Sequence, residues 1–352
     1  MDADVFARLA NALDRLPNGF PRTASGVELA ILRKLFSVEE AVLGAALSGA
    51  FEPAGEIAAR VDQPPAVVTK RLLGMVRRGL AWFTKQEGAL YFRLAPFIVG
   101  IYEESLDRVD HELAHLVEAY LLEGGAAGIM GPQPALHRVM PAHHAVKTES
   151  VLRCEDVRAL LLAAKTFNVR DCICRTQQDH VGRRCSFPLD VCLNFSDRER
   201  PPIPGDISQA EALALLDRCE EIGLVHTVSN VMQGMSYVCN CCGCCCGILR
   251  GITEWGIDHS VARASYYAVV DQAECQGCGI CEQRCQVHAI AMQDDVAVAD
   301  HARCIGCGLC VTGCPHDAVH LQRLPEAEIV APPADYAAWE RARLHDRGLD
   351  MA

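Results

Sequence analysis

Cys275-Gln276-Gly277-Cys278-Gly279-Ile280-Cys281-Glu282-Gln283-Arg284-Cys285 and Cys304-Ile305-Gly306-Cys307-Gly308-Leu309-Cys310-Val311-Thr312-Gly313-Cys314 decide how this chain is read. Both are spaced C-x2-C-x2-C-x3-C, and the second begins 29 residues after the first and is followed by Pro315. The likeness extends past the cysteines to Asp271/Asp300, Ala273/Ala302, Gly277/Gly306, Gly279/Gly308, Ile280/Leu309 and Ala289/Ala318, so the segment is an internal duplication. The chain has 352 residues and 20 cysteines, none of them in residues 1–153. Six lie from Cys154 to Cys219 and fourteen from Cys239 to Cys314. Thiols two or three residues apart point to metal ligation rather than disulfides.

The duplicated runs resemble the bacterial two-cluster ferredoxins. A cubane offers four irons, each needing one thiolate. A tight glycine-rich loop with cysteines three apart reaches three of them and turns backbone N–H groups toward the sulfurs. By that resemblance the fourth ligand comes from the other run. Cys275, Cys278, Cys281 and Cys314 would then hold one [4Fe–4S] cluster, and Cys304, Cys307, Cys310 and Cys285 the other. Gln286 departs from the pattern, standing where proline is usual. The competing assignments are disulfides and a zinc module, the latter using paired C-x2-C knuckles instead of three cysteines in one loop with a remote fourth.

A second cysteine field precedes this pair. Cys172, Cys174, Cys185 and Cys192 form C-x-C-x10-C-x6-C, and Cys239, Cys241, Cys242, Cys244, Cys245 and Cys246 fall within eight residues. Buried cysteine is a small hydrophobe, but core packing does not produce that density. Neighbouring side chains point different ways, so the six are not expected to share one cubane. Some should ligate together with Cys172–Cys192, as at least one further iron–sulfur centre, a zinc site or a set of redox thiols. Arg170, Arg175, Arg183 and Arg184 surround the first array, as cations offsetting thiolate charge or as solvated surface. DCICR, CSFPLDVC, GLVHTVSN and CNCCGCCCGILRG, in this order ahead of the duplication, resemble bacterial and archaeal 4Fe–4S dicluster ferredoxin-like proteins with an N-terminal winged-helix-like region. That resemblance spans about residues 27–324 and implies iron–sulfur binding and electron transfer without naming a substrate. Cys154 and Cys219 lie outside these motifs and are expected to be packing residues.

Residues 27–36 and 38–47 have helical apolar spacing, the second opening with the capping box Ser37/Glu40. Residues 54–60 and 66–78, separated by Asp62-Gln63-Pro64-Pro65, form a helix-turn-helix pattern. Residues 80–85 and 89–94 alternate around Glu87-Gly88 as a hairpin. This succession resembles winged-helix domains of the MarR or ArsR kind. Residues 52–94 contain seven Lys/Arg against four Asp/Glu, with Lys70, Arg71, Arg77 and Arg78 on the presumed recognition helix and Lys85 in the wing. DNA binding is therefore possible, but it is not favoured in a chain of net charge −12. One further helix is expected over residues 96–122, then a Gly/Pro-rich stretch over 124–134. Ser208/Glu211 opens another helix that ends at Gly223.

His111-Glu112-Leu113-Ala114-His115 matches H-E-x-x-H, but no third ligand motif follows, and Glu118, Glu123 and Glu149 have no claim beyond being present. His226, His288 and His320 are expected to be surface or hydrogen-bonded residues. No P-loop or dinucleotide fingerprint is found. No apolar run is long enough for a membrane span, and MDADVFARLA lacks an export signal, so the expected location is cytoplasmic.

The expected fold class is α+β and multidomain. It comprises a winged-helix-like domain with flanking helices (1–123), a cysteine-rich α/β middle domain (135–262), a two-cluster ferredoxin-like domain (263–324), and a linker and tail (325–352). The expected function is an electron-transfer protein with two [4Fe–4S] clusters and an additional centre, working with redox partner proteins in an oxidoreductase system. Two rivals stand beside it: a redox- or oxygen-sensing winged-helix regulator, and an oxidoreductase whose active centre is the CNCCGCCC segment.

Overall fold

The computed structural model describes residues 2–146 and 155–349. Cys154 and Glu149 lie outside the described residues. The fold is mixed helix and sheet, divided into two compact units. One comprises Met1–Gln133, Thr176–Arg184 and Glu340–Ala352, the other Pro134–Arg175 and Cys185–Trp339. Among the described residues no helix is long and apolar enough to cross a membrane.

In the first unit, helices Asp2–Asp14, Val27–Leu35, Val38–Ala46, Ala54–Arg60 and Pro65–Arg77 bury one apolar face each, including Leu9, Ile31, Leu43, Ile57, Val68, Leu72 and Met75. Full burial of each large aliphatic side chain contributes about 1.5–3 kcal/mol. Ser37 and Glu40 form the expected capping box. Strand Ala89–Leu94 pairs antiparallel with Glu52–Pro53 and with Ala81–Gln86. The two-residue turn places Glu87 and Gly88 at φ 49° and 87°, the left-handed pair that a tight hairpin turn requires.

The single helix expected over residues 96–122 is interrupted. Backbone at Ile98–Gly100 is non-helical, a 3-10 turn covers Glu103–Arg108, and the regular helix starts at His111. Asp110 explains the restart: its carboxylate accepts the Leu113 N–H at 2.8 Å, a local bond that favours a helix start over a helix interior. Near the C-terminus, helix Tyr336–Asp346 carries Arg343, whose guanidinium is fully buried and donates to the carbonyls of Pro17 (2.8 Å), Pro132 (2.6 Å) and Ile129.

The second unit is built on a seven-stranded sheet, in the order Val261–Ala262, His137–Met140, Val225–Ser229, Tyr237–Cys241, Asp190–Ser196, Thr166–Asp171, Asp206–Ile207. Only the first pair is parallel. Helix Gln209–Ile222 opens with the capping box Ser208/Glu211 and ends at Gly223, φ 91°, as expected. The buried pair Arg138–Glu155 (2.6 Å) is completed by the Ser265 N–H and hydroxyl on Glu155, joining the sheet to the start of the duplicated segment. That segment adds two ribbons, Tyr266–Val270 with Val319–Arg323 and Ile290–Gln293 with Val296–Ala299, and two short helices, Ile280–Arg284 and Leu309–Thr312.

Candidate metal centres

The duplication is visible in the backbone. Gly277 and Gly306 lie at φ 68° and 73°, and a Cβ on either would approach a facing carbonyl, Asp295 O at 2.4 Å or Tyr266 O at 2.3 Å. Only glycine fits there. The two loops curl around separate hollows. One is lined by Cys275, Cys278, Cys281 and Cys314, the other by Cys285, Cys304, Cys307 and Cys310. Each hollow therefore gathers three thiols from one run and one from the other. Backbone N–H groups reach three of the sulfurs: Ala297 on Cys275 (3.4 Å), Ala289 on Cys285 (3.1 Å) and Ala268 on Cys304 (3.4 Å). Thiols spaced around a hollow, with N–H donors on sulfur, suit a cluster whose inorganic core occupies the centre. Burial raises the pKa of Cys281, Cys304 and Cys310 and takes Cys307 up to about 12. These thiols must lose protons to bind metal, so loading releases protons.

The ten cysteines of the middle field separate into two sets. Cys172 and Cys174 lie at the end of strand Thr166–Asp171 and the start of helix Ile173–His180, and Cys192 lies in strand Asp190–Ser196. Cys239 and Cys241 are two apart in strand Tyr237–Cys241, hence on one face, and Cys246 caps helix Gly247–Thr253. Thiol–thiol hydrogen bonds link them in a closed ring: Cys172 to Cys174, Cys174 to Cys246, Cys246 to Cys241, Cys241 to Cys239, Cys239 to Cys192, Cys192 back to Cys172. Among the described residues no three of these six lie mutually within 4.8 Å. The second set, Cys185, Cys242, Cys244 and Cys245, is compact, with every sulfur within 4.8 Å of the others.

Charge in the ring settles at opposite corners. Hydrogen bonds from Cys174 and Cys192 hold Cys172 well below the usual thiol range, and those from Cys239 and Cys246 bring Cys241 down to about 6. In the compact set, Cys244 and Cys245 donate to Cys242 and lower it strongly, with Arg175 adding to the effect. Arg175, 1% exposed, feels the charge of Cys172 and hydrogen-bonds Cys242, while donating to the carbonyls of Pro188 (3.0 Å) and Asn240 (2.7 Å). It offsets negative charge in both sets. Arg183 and Arg184 are committed elsewhere, to Glu118 (3.2 Å) and Asp179 (3.1 Å).

Several residues around these sets carried no spacing signal. His137 donates or accepts at Thr227 (3.2 Å) and Tyr237 (2.9 Å), and Thr227 in turn meets Cys241 at 3.6 Å. His226 bonds Asn240, which lies between two ring cysteines, and Glu220 at 3.4 Å. Gln286, the departure from the ferredoxin pattern, accepts the Gly243 N–H at 2.9 Å and donates to Gly223 O at 2.9 Å. A Cβ on Gly243 would sit 1.8 Å from Gln286 O, so the backbones touch where Cys242 and Cys244 are held.

The remaining candidates fall outside these sites. Cys219 is fully buried in helix Gln209–Ile222, and burial takes it up to about 12. His111 and His115 are exposed with rings 4.4 Å apart, but Glu112 is paired with Lys34 at 2.5 Å, and no metal-competent group of described residues includes them. His288 and His320 are exposed.

Comparison with curated proteins and with solved structures found no match.

Results

Sequence analysis

Cys275-Gln276-Gly277-Cys278-Gly279-Ile280-Cys281-Glu282-Gln283-Arg284-Cys285 and Cys304-Ile305-Gly306-Cys307-Gly308-Leu309-Cys310-Val311-Thr312-Gly313-Cys314 decide how this chain is read. Both are spaced C-x2-C-x2-C-x3-C, and the second begins 29 residues after the first and is followed by Pro315. The likeness extends past the cysteines to Asp271/Asp300, Ala273/Ala302, Gly277/Gly306, Gly279/Gly308, Ile280/Leu309 and Ala289/Ala318, so the segment is an internal duplication. The chain has 352 residues and 20 cysteines, none of them in residues 1–153. Six lie from Cys154 to Cys219 and fourteen from Cys239 to Cys314. Thiols two or three residues apart point to metal ligation rather than disulfides.

The duplicated runs resemble the bacterial two-cluster ferredoxins. A cubane offers four irons, each needing one thiolate. A tight glycine-rich loop with cysteines three apart reaches three of them and turns backbone N–H groups toward the sulfurs. By that resemblance the fourth ligand comes from the other run. Cys275, Cys278, Cys281 and Cys314 would then hold one [4Fe–4S] cluster, and Cys304, Cys307, Cys310 and Cys285 the other. Gln286 departs from the pattern, standing where proline is usual. The competing assignments are disulfides and a zinc module, the latter using paired C-x2-C knuckles instead of three cysteines in one loop with a remote fourth.

A second cysteine field precedes this pair. Cys172, Cys174, Cys185 and Cys192 form C-x-C-x10-C-x6-C, and Cys239, Cys241, Cys242, Cys244, Cys245 and Cys246 fall within eight residues. Buried cysteine is a small hydrophobe, but core packing does not produce that density. Neighbouring side chains point different ways, so the six are not expected to share one cubane. Some should ligate together with the cysteines of the first array, as at least one further iron–sulfur centre, a zinc site or a set of redox thiols. Arg170, Arg175, Arg183 and Arg184 surround the first array, as cations offsetting thiolate charge or as solvated surface. DCICR, CSFPLDVC, GLVHTVSN and CNCCGCCCGILRG, in this order ahead of the duplication, resemble bacterial and archaeal 4Fe–4S dicluster ferredoxin-like proteins with an N-terminal winged-helix-like region. That resemblance spans about residues 27–324 and implies iron–sulfur binding and electron transfer without naming a substrate. Cys154 and Cys219 lie outside these motifs and are expected to be packing residues.

Residues 27–36 and 38–47 have helical apolar spacing, the second opening with the capping box Ser37/Glu40. Residues 54–60 and 66–78, separated by Asp62-Gln63-Pro64-Pro65, form a helix-turn-helix pattern. Residues 80–85 and 89–94 alternate around Glu87-Gly88 as a hairpin. This succession resembles winged-helix domains of the MarR or ArsR kind. Residues 52–94 contain seven Lys/Arg against four Asp/Glu, with Lys70, Arg71, Arg77 and Arg78 on the presumed recognition helix and Lys85 in the wing. DNA binding is a possible role but not the favoured one in a chain of net charge −12. One further helix is expected over residues 96–122, then a Gly/Pro-rich stretch over 124–134. Ser208/Glu211 opens another helix that ends at Gly223.

His111-Glu112-Leu113-Ala114-His115 matches H-E-x-x-H, but no third-ligand motif follows, and Glu118, Glu123 and Glu149 have no claim beyond being present. His226, His288 and His320 are expected to be surface or hydrogen-bonded residues. No P-loop or dinucleotide fingerprint is found. No apolar run is long enough for a membrane span, and MDADVFARLA lacks the features of an export signal, so the expected location is cytoplasmic.

The expected fold class is α+β and multidomain. It comprises a winged-helix-like domain with flanking helices (1–123), a cysteine-rich α/β middle domain (135–262), a two-cluster ferredoxin-like domain (263–324), and a linker and tail (325–352). The expected function is an electron-transfer protein with two [4Fe–4S] clusters and an additional centre, working with redox partner proteins in an oxidoreductase system. Two rivals stand beside it: a redox- or oxygen-sensing winged-helix regulator, and an oxidoreductase whose active centre is the CNCCGCCC segment.

Overall fold

The computed structural model describes residues 2–146 and 155–349. Cys154 and Glu149 lie outside the described residues. The fold is mixed helix and sheet, divided into two compact units. One comprises Met1–Gln133, Thr176–Arg184 and Glu340–Ala352, the other Pro134–Arg175 and Cys185–Trp339. Among the described residues no helix is long and apolar enough to cross a membrane.

In the first unit, helices Asp2–Asp14, Val27–Leu35, Val38–Ala46, Ala54–Arg60 and Pro65–Arg77 bury apolar side chains that include Leu9, Ile31, Leu43, Ile57, Val68, Leu72 and Met75. Full burial of each large aliphatic side chain contributes about 1.5–3 kcal/mol. Ser37 and Glu40 form the expected capping box. Strand Ala89–Leu94 pairs antiparallel with Glu52–Pro53 and with Ala81–Gln86. The two-residue turn places Glu87 and Gly88 at φ 49° and 87°, the left-handed pair that a tight hairpin turn requires.

The single helix expected over residues 96–122 is interrupted. Backbone at residues 98–100 is non-helical, a 3-10 turn covers Glu103–Arg108, and the regular helix His111–Tyr120 starts only beyond it. Asp110 explains the restart: its carboxylate accepts the Leu113 N–H at 2.8 Å, a local bond that favours a helix start over a helix interior. Near the C-terminus, helix Tyr336–Asp346 carries Arg343, whose guanidinium is fully buried and donates to the carbonyls of Pro17 (2.8 Å), Pro132 (2.6 Å) and Ile129. This part of the chain is thereby pinned into the first unit.

The second unit is built on a seven-stranded sheet, in the order Val261–Ala262, His137–Met140, Val225–Ser229, Tyr237–Cys241, Asp190–Ser196, Thr166–Asp171, Asp206–Ile207. The first pair is parallel and the others antiparallel. Helix Gln209–Ile222 opens with the capping box Ser208/Glu211 and ends at Gly223, φ 91°, as expected. The buried pair Arg138–Glu155 (2.6 Å) is completed by the Ser265 N–H and hydroxyl on Glu155, joining the sheet to the start of the duplicated segment. That segment adds two ribbons, Tyr266–Val270 with Val319–Arg323 and Ile290–Gln293 with Val296–Ala299, and two short helices, Ile280–Arg284 and Leu309–Thr312.

Candidate metal centres

The duplication is visible in the backbone. Gly277 and Gly306 lie at φ 68° and 73°, and a Cβ on either would crowd a facing carbonyl, Asp295 O at 2.4 Å or Tyr266 O at 2.3 Å. Only glycine fits there. The two loops curl around separate hollows. One is lined by Cys275, Cys278, Cys281 and Cys314, the other by Cys285, Cys304, Cys307 and Cys310. Each hollow therefore gathers three thiols from one run and one from the other. Backbone N–H groups reach three of the sulfurs: Ala297 on Cys275 (3.4 Å), Ala289 on Cys285 (3.1 Å) and Ala268 on Cys304 (3.4 Å). Thiols spaced around a hollow, with N–H donors on sulfur, suit a cluster whose inorganic core fills the centre. Burial raises the pKa of Cys281, Cys304 and Cys310 and takes Cys307 up to about 12. Metal ligation needs the thiolates, so loading these sites releases protons.

The ten cysteines of the middle field separate into two sets. Cys172 and Cys174 lie at the end of strand Thr166–Asp171 and the start of helix Ile173–His180, and Cys192 lies in strand Asp190–Ser196. Cys239 and Cys241 are two apart in strand Tyr237–Cys241, hence on one face, and Cys246 is the N-cap of helix Gly247–Thr253. Thiol–thiol hydrogen bonds link them in a closed ring: Cys172 to Cys174, Cys174 to Cys246, Cys246 to Cys241, Cys241 to Cys239, Cys239 to Cys192, Cys192 back to Cys172. Among the described residues, no three of these six lie mutually within 4.8 Å. The second set, Cys185, Cys242, Cys244 and Cys245, is compact, with every sulfur within 4.8 Å of the others.

Negative charge in the ring settles at opposite corners. Hydrogen bonds from Cys174 and Cys192 hold Cys172 well below the usual thiol range, and those from Cys239 and Cys246 bring Cys241 down to about 6. In the compact set, Cys244 and Cys245 donate to Cys242 and lower it strongly, with Arg175 adding to the effect. Arg175, 1% exposed, feels the charge of Cys172 and hydrogen-bonds Cys242, while donating to the carbonyls of Pro188 (3.0 Å) and Asn240 (2.7 Å). It offsets negative charge in both sets. Arg183 and Arg184 are engaged elsewhere, with Glu118 (3.2 Å) and Asp179 (3.1 Å).

Several residues around these sets had no signal in the cysteine spacing. His137 is hydrogen-bonded to Thr227 (3.2 Å) and Tyr237 (2.9 Å), and Thr227 in turn meets Cys241 at 3.6 Å. His226 bonds Asn240, which lies between two ring cysteines, and approaches Glu220 at 3.4 Å. Gln286, the departure from the ferredoxin pattern, accepts the Gly243 N–H at 2.9 Å and donates to Gly223 O at 2.9 Å. A Cβ on Gly243 would sit 1.8 Å from Gln286 O, so the two backbones touch between Cys242 and Cys244.

The remaining candidates fall outside these sites. Cys219 is fully buried in helix Gln209–Ile222, and burial takes it up to about 12. His111 and His115 are exposed with rings 4.4 Å apart; Glu112 is paired with Lys34 at 2.5 Å, and no metal-competent group of described residues includes them. His288 and His320 are exposed.

Comparison with curated proteins and with solved structures found no match. Residues 274–318 match the family described as 4Fe-4S dicluster domain. That stretch contains all eight cysteines around the two hollows, and it marks the chain as an iron–sulfur protein.

Proposed function

We propose that this chain is an electron-transfer protein with two [4Fe–4S] clusters in the duplicated segment and a further iron–sulfur centre in the six-thiol ring. The observation that supports it best is the exchange of a fourth thiol between the duplicated runs, Cys314 to the first hollow and Cys285 to the second. Bound clusters would supply reversible uptake of single electrons. The chain's own residues then set how readily that happens. The amides of Ala297, Ala289 and Ala268 stabilise negative charge on sulfur, and burial of Cys281, Cys304 and Cys310 excludes water. In the ring, alternate thiols such as Cys172, Cys246 and Cys239 do not touch one another, which suits ligands to different irons of one core. Arg175 supplies the compensating positive charge.

The test is reduction of anaerobically prepared protein with dithionite, followed by EPR. Cys278→Ser and Cys307→Ser should each remove a different signal and slow electron delivery to a soluble acceptor. Wild-type protein without a reducible iron–sulfur signal would overturn the reading.

A second reading, a redox-responsive DNA-binding regulator, has support in the first unit. Helices Ala54–Arg60 and Pro65–Arg77 precede the hairpin, a succession that supports a winged-helix reading, and Lys70, Arg71, Arg77 and Lys85 are exposed. Two other cations are engaged within the protein: Arg78 with Glu40 and the Leu35 carbonyl, Arg60 with Glu52. Gel retardation of upstream DNA that differs between reduced and air-oxidised protein would favour the regulator; no retardation in either state would exclude it.

A further inference from the structure

The compact cysteine set differs in kind from the other three groups of thiols. Around the two ferredoxin-like hollows the thiols stand back from a centre, and in the ring only neighbours touch. Cys185, Cys242, Cys244 and Cys245 instead converge on a point. The Cys185 and Cys242 sulfurs are 4.0 Å apart, the Cys244 and Cys245 sulfurs 3.7 Å, and all four lie within 4.8 Å of one another. Metal–sulfur bonds of about 2.3 Å in tetrahedral geometry put the thiolates about 3.8 Å apart. A cubane cannot accept that spacing, because its four irons and four sulfides lie between the thiolates.

We propose that Cys185, Cys242, Cys244 and Cys245 form a closed tetrathiolate site for one tetrahedral divalent ion of the zinc or ferrous class. The proposal rests on the metal-binding reading of the middle field, but it assigns these four cysteines away from any cluster. Local structure holds the site in place. Gly243, between two of the ligands, donates its N–H to Gln286 and accepts the Thr253 hydroxyl at 2.8 Å, and the Cys246 N–H bonds back to Cys242 O at 3.2 Å. Four thiolates around a divalent ion leave a net charge of −2, and Arg175 on Cys242 offsets part of it. Cys242 and Cys245 are each 1% exposed, whereas Cys244 is exposed, which gives an ion a route in. The site also explains why a row of six cysteines occurs at all. Cys239, Cys241 and Cys246 turn to the ring, and Cys242, Cys244 and Cys245 turn to the single-ion site.

The experiment uses full-length protein purified anaerobically, with elemental analysis of zinc and iron, zinc-edge X-ray absorption and Mössbauer spectroscopy. The expected result is one ion per chain with four sulfur neighbours at about 2.3 Å and no metal–metal shell. It is zinc if zinc is stoichiometric, and a lone high-spin iron distinct from cluster iron if not. Cys244→Ser and Cys185→Ser, which alter different segments, should each lose that one ion while the EPR signals of the duplicated segment persist. Absence of any mononuclear tetrathiolate ion from the wild type overturns the proposal, and so does its retention in both variants. Loss of those EPR signals from the wild type itself would instead count against the electron-transfer reading.

Discussion

Replacing Arg175 with methionine removes a buried cation shared by the ring and the compact set. Its guanidinium hydrogen-bonds Cys242 and feels the charge on Cys172, with 1% of the residue exposed. A unit charge about 8 Å from the ring centre, at an effective dielectric constant of about 20, contributes about 2 kcal/mol. With tenfold in a one-electron equilibrium worth about 59 mV, that becomes a potential lower by about 90 mV for a centre in the ring. The sign follows from charge: the reduced centre is the more negative one and loses more from removal of the cation. Arg175→Met also leaves the Pro188 and Asn240 carbonyls without this donor, at about 1–3 kcal/mol each. Potentiometric titration followed by EPR, on wild type and variant, measures the shift. The potentials of the two ferredoxin-like clusters should move much less. A middle-field potential unchanged within about 30 mV, in a variant that retains its iron, would refute the electrostatic role assigned to Arg175.

Gly243→Ala should disturb the cluster proposed at Cys285, Cys304, Cys307 and Cys310 more than its proposed twin, because the new Cβ would meet Gln286 O at 1.8 Å, one residue from Cys285; equal effects on both EPR signals would contradict that contact. His137 is buried and neutral, its pKa lowered by burial from 6.5 to about 4. The unfolded chain therefore takes up a proton first as pH falls through 6.5, and stability declines until about pH 4, by about 3 kcal/mol in all. His137→Gln should flatten that part of the urea-midpoint profile, and an unchanged slope counts against it. Arg343→Met should lower stability by about 3 kcal/mol through three carbonyls left without their donor; an unaltered denaturant midpoint would show that the clamp is replaceable.

The duplicated segment was legible because its chemistry is local. Cysteines three apart with left-handed glycines between them specify a loop, and the repeat specifies its twin. The capping boxes at Ser37 and Ser208 and the turn at Glu87-Gly88 were legible for the same reason. The partition of the middle field was not. Cys241 and Cys242 are adjacent in sequence, yet one belongs to the ring and the other to the compact set, because the end of strand Tyr237–Cys241 turns its residues to different sides. Which thiols meet depends on the antiparallel pairing of that strand with Asp190–Ser196, a non-local register that spacing does not encode. Gln286 was visible only as a departure from a pattern, and its partner Gly243 lies 43 residues away. Asp110 contains its own explanation: a carboxylate three residues before Leu113 is a helix start, and the apolar periodicity over residues 96–122 concealed it.

Two clusters in the duplicated segment and a further iron–sulfur centre in the ring can be checked by counting iron and acid-labile sulfide per chain in anaerobically purified protein, alongside Mössbauer spectra. About twelve or more irons with matching sulfide are expected, eight of them from the two ferredoxin-like hollows. About eight irons and no more would contradict the ring centre, and fewer than eight in fully folded protein would contradict the duplicated pair.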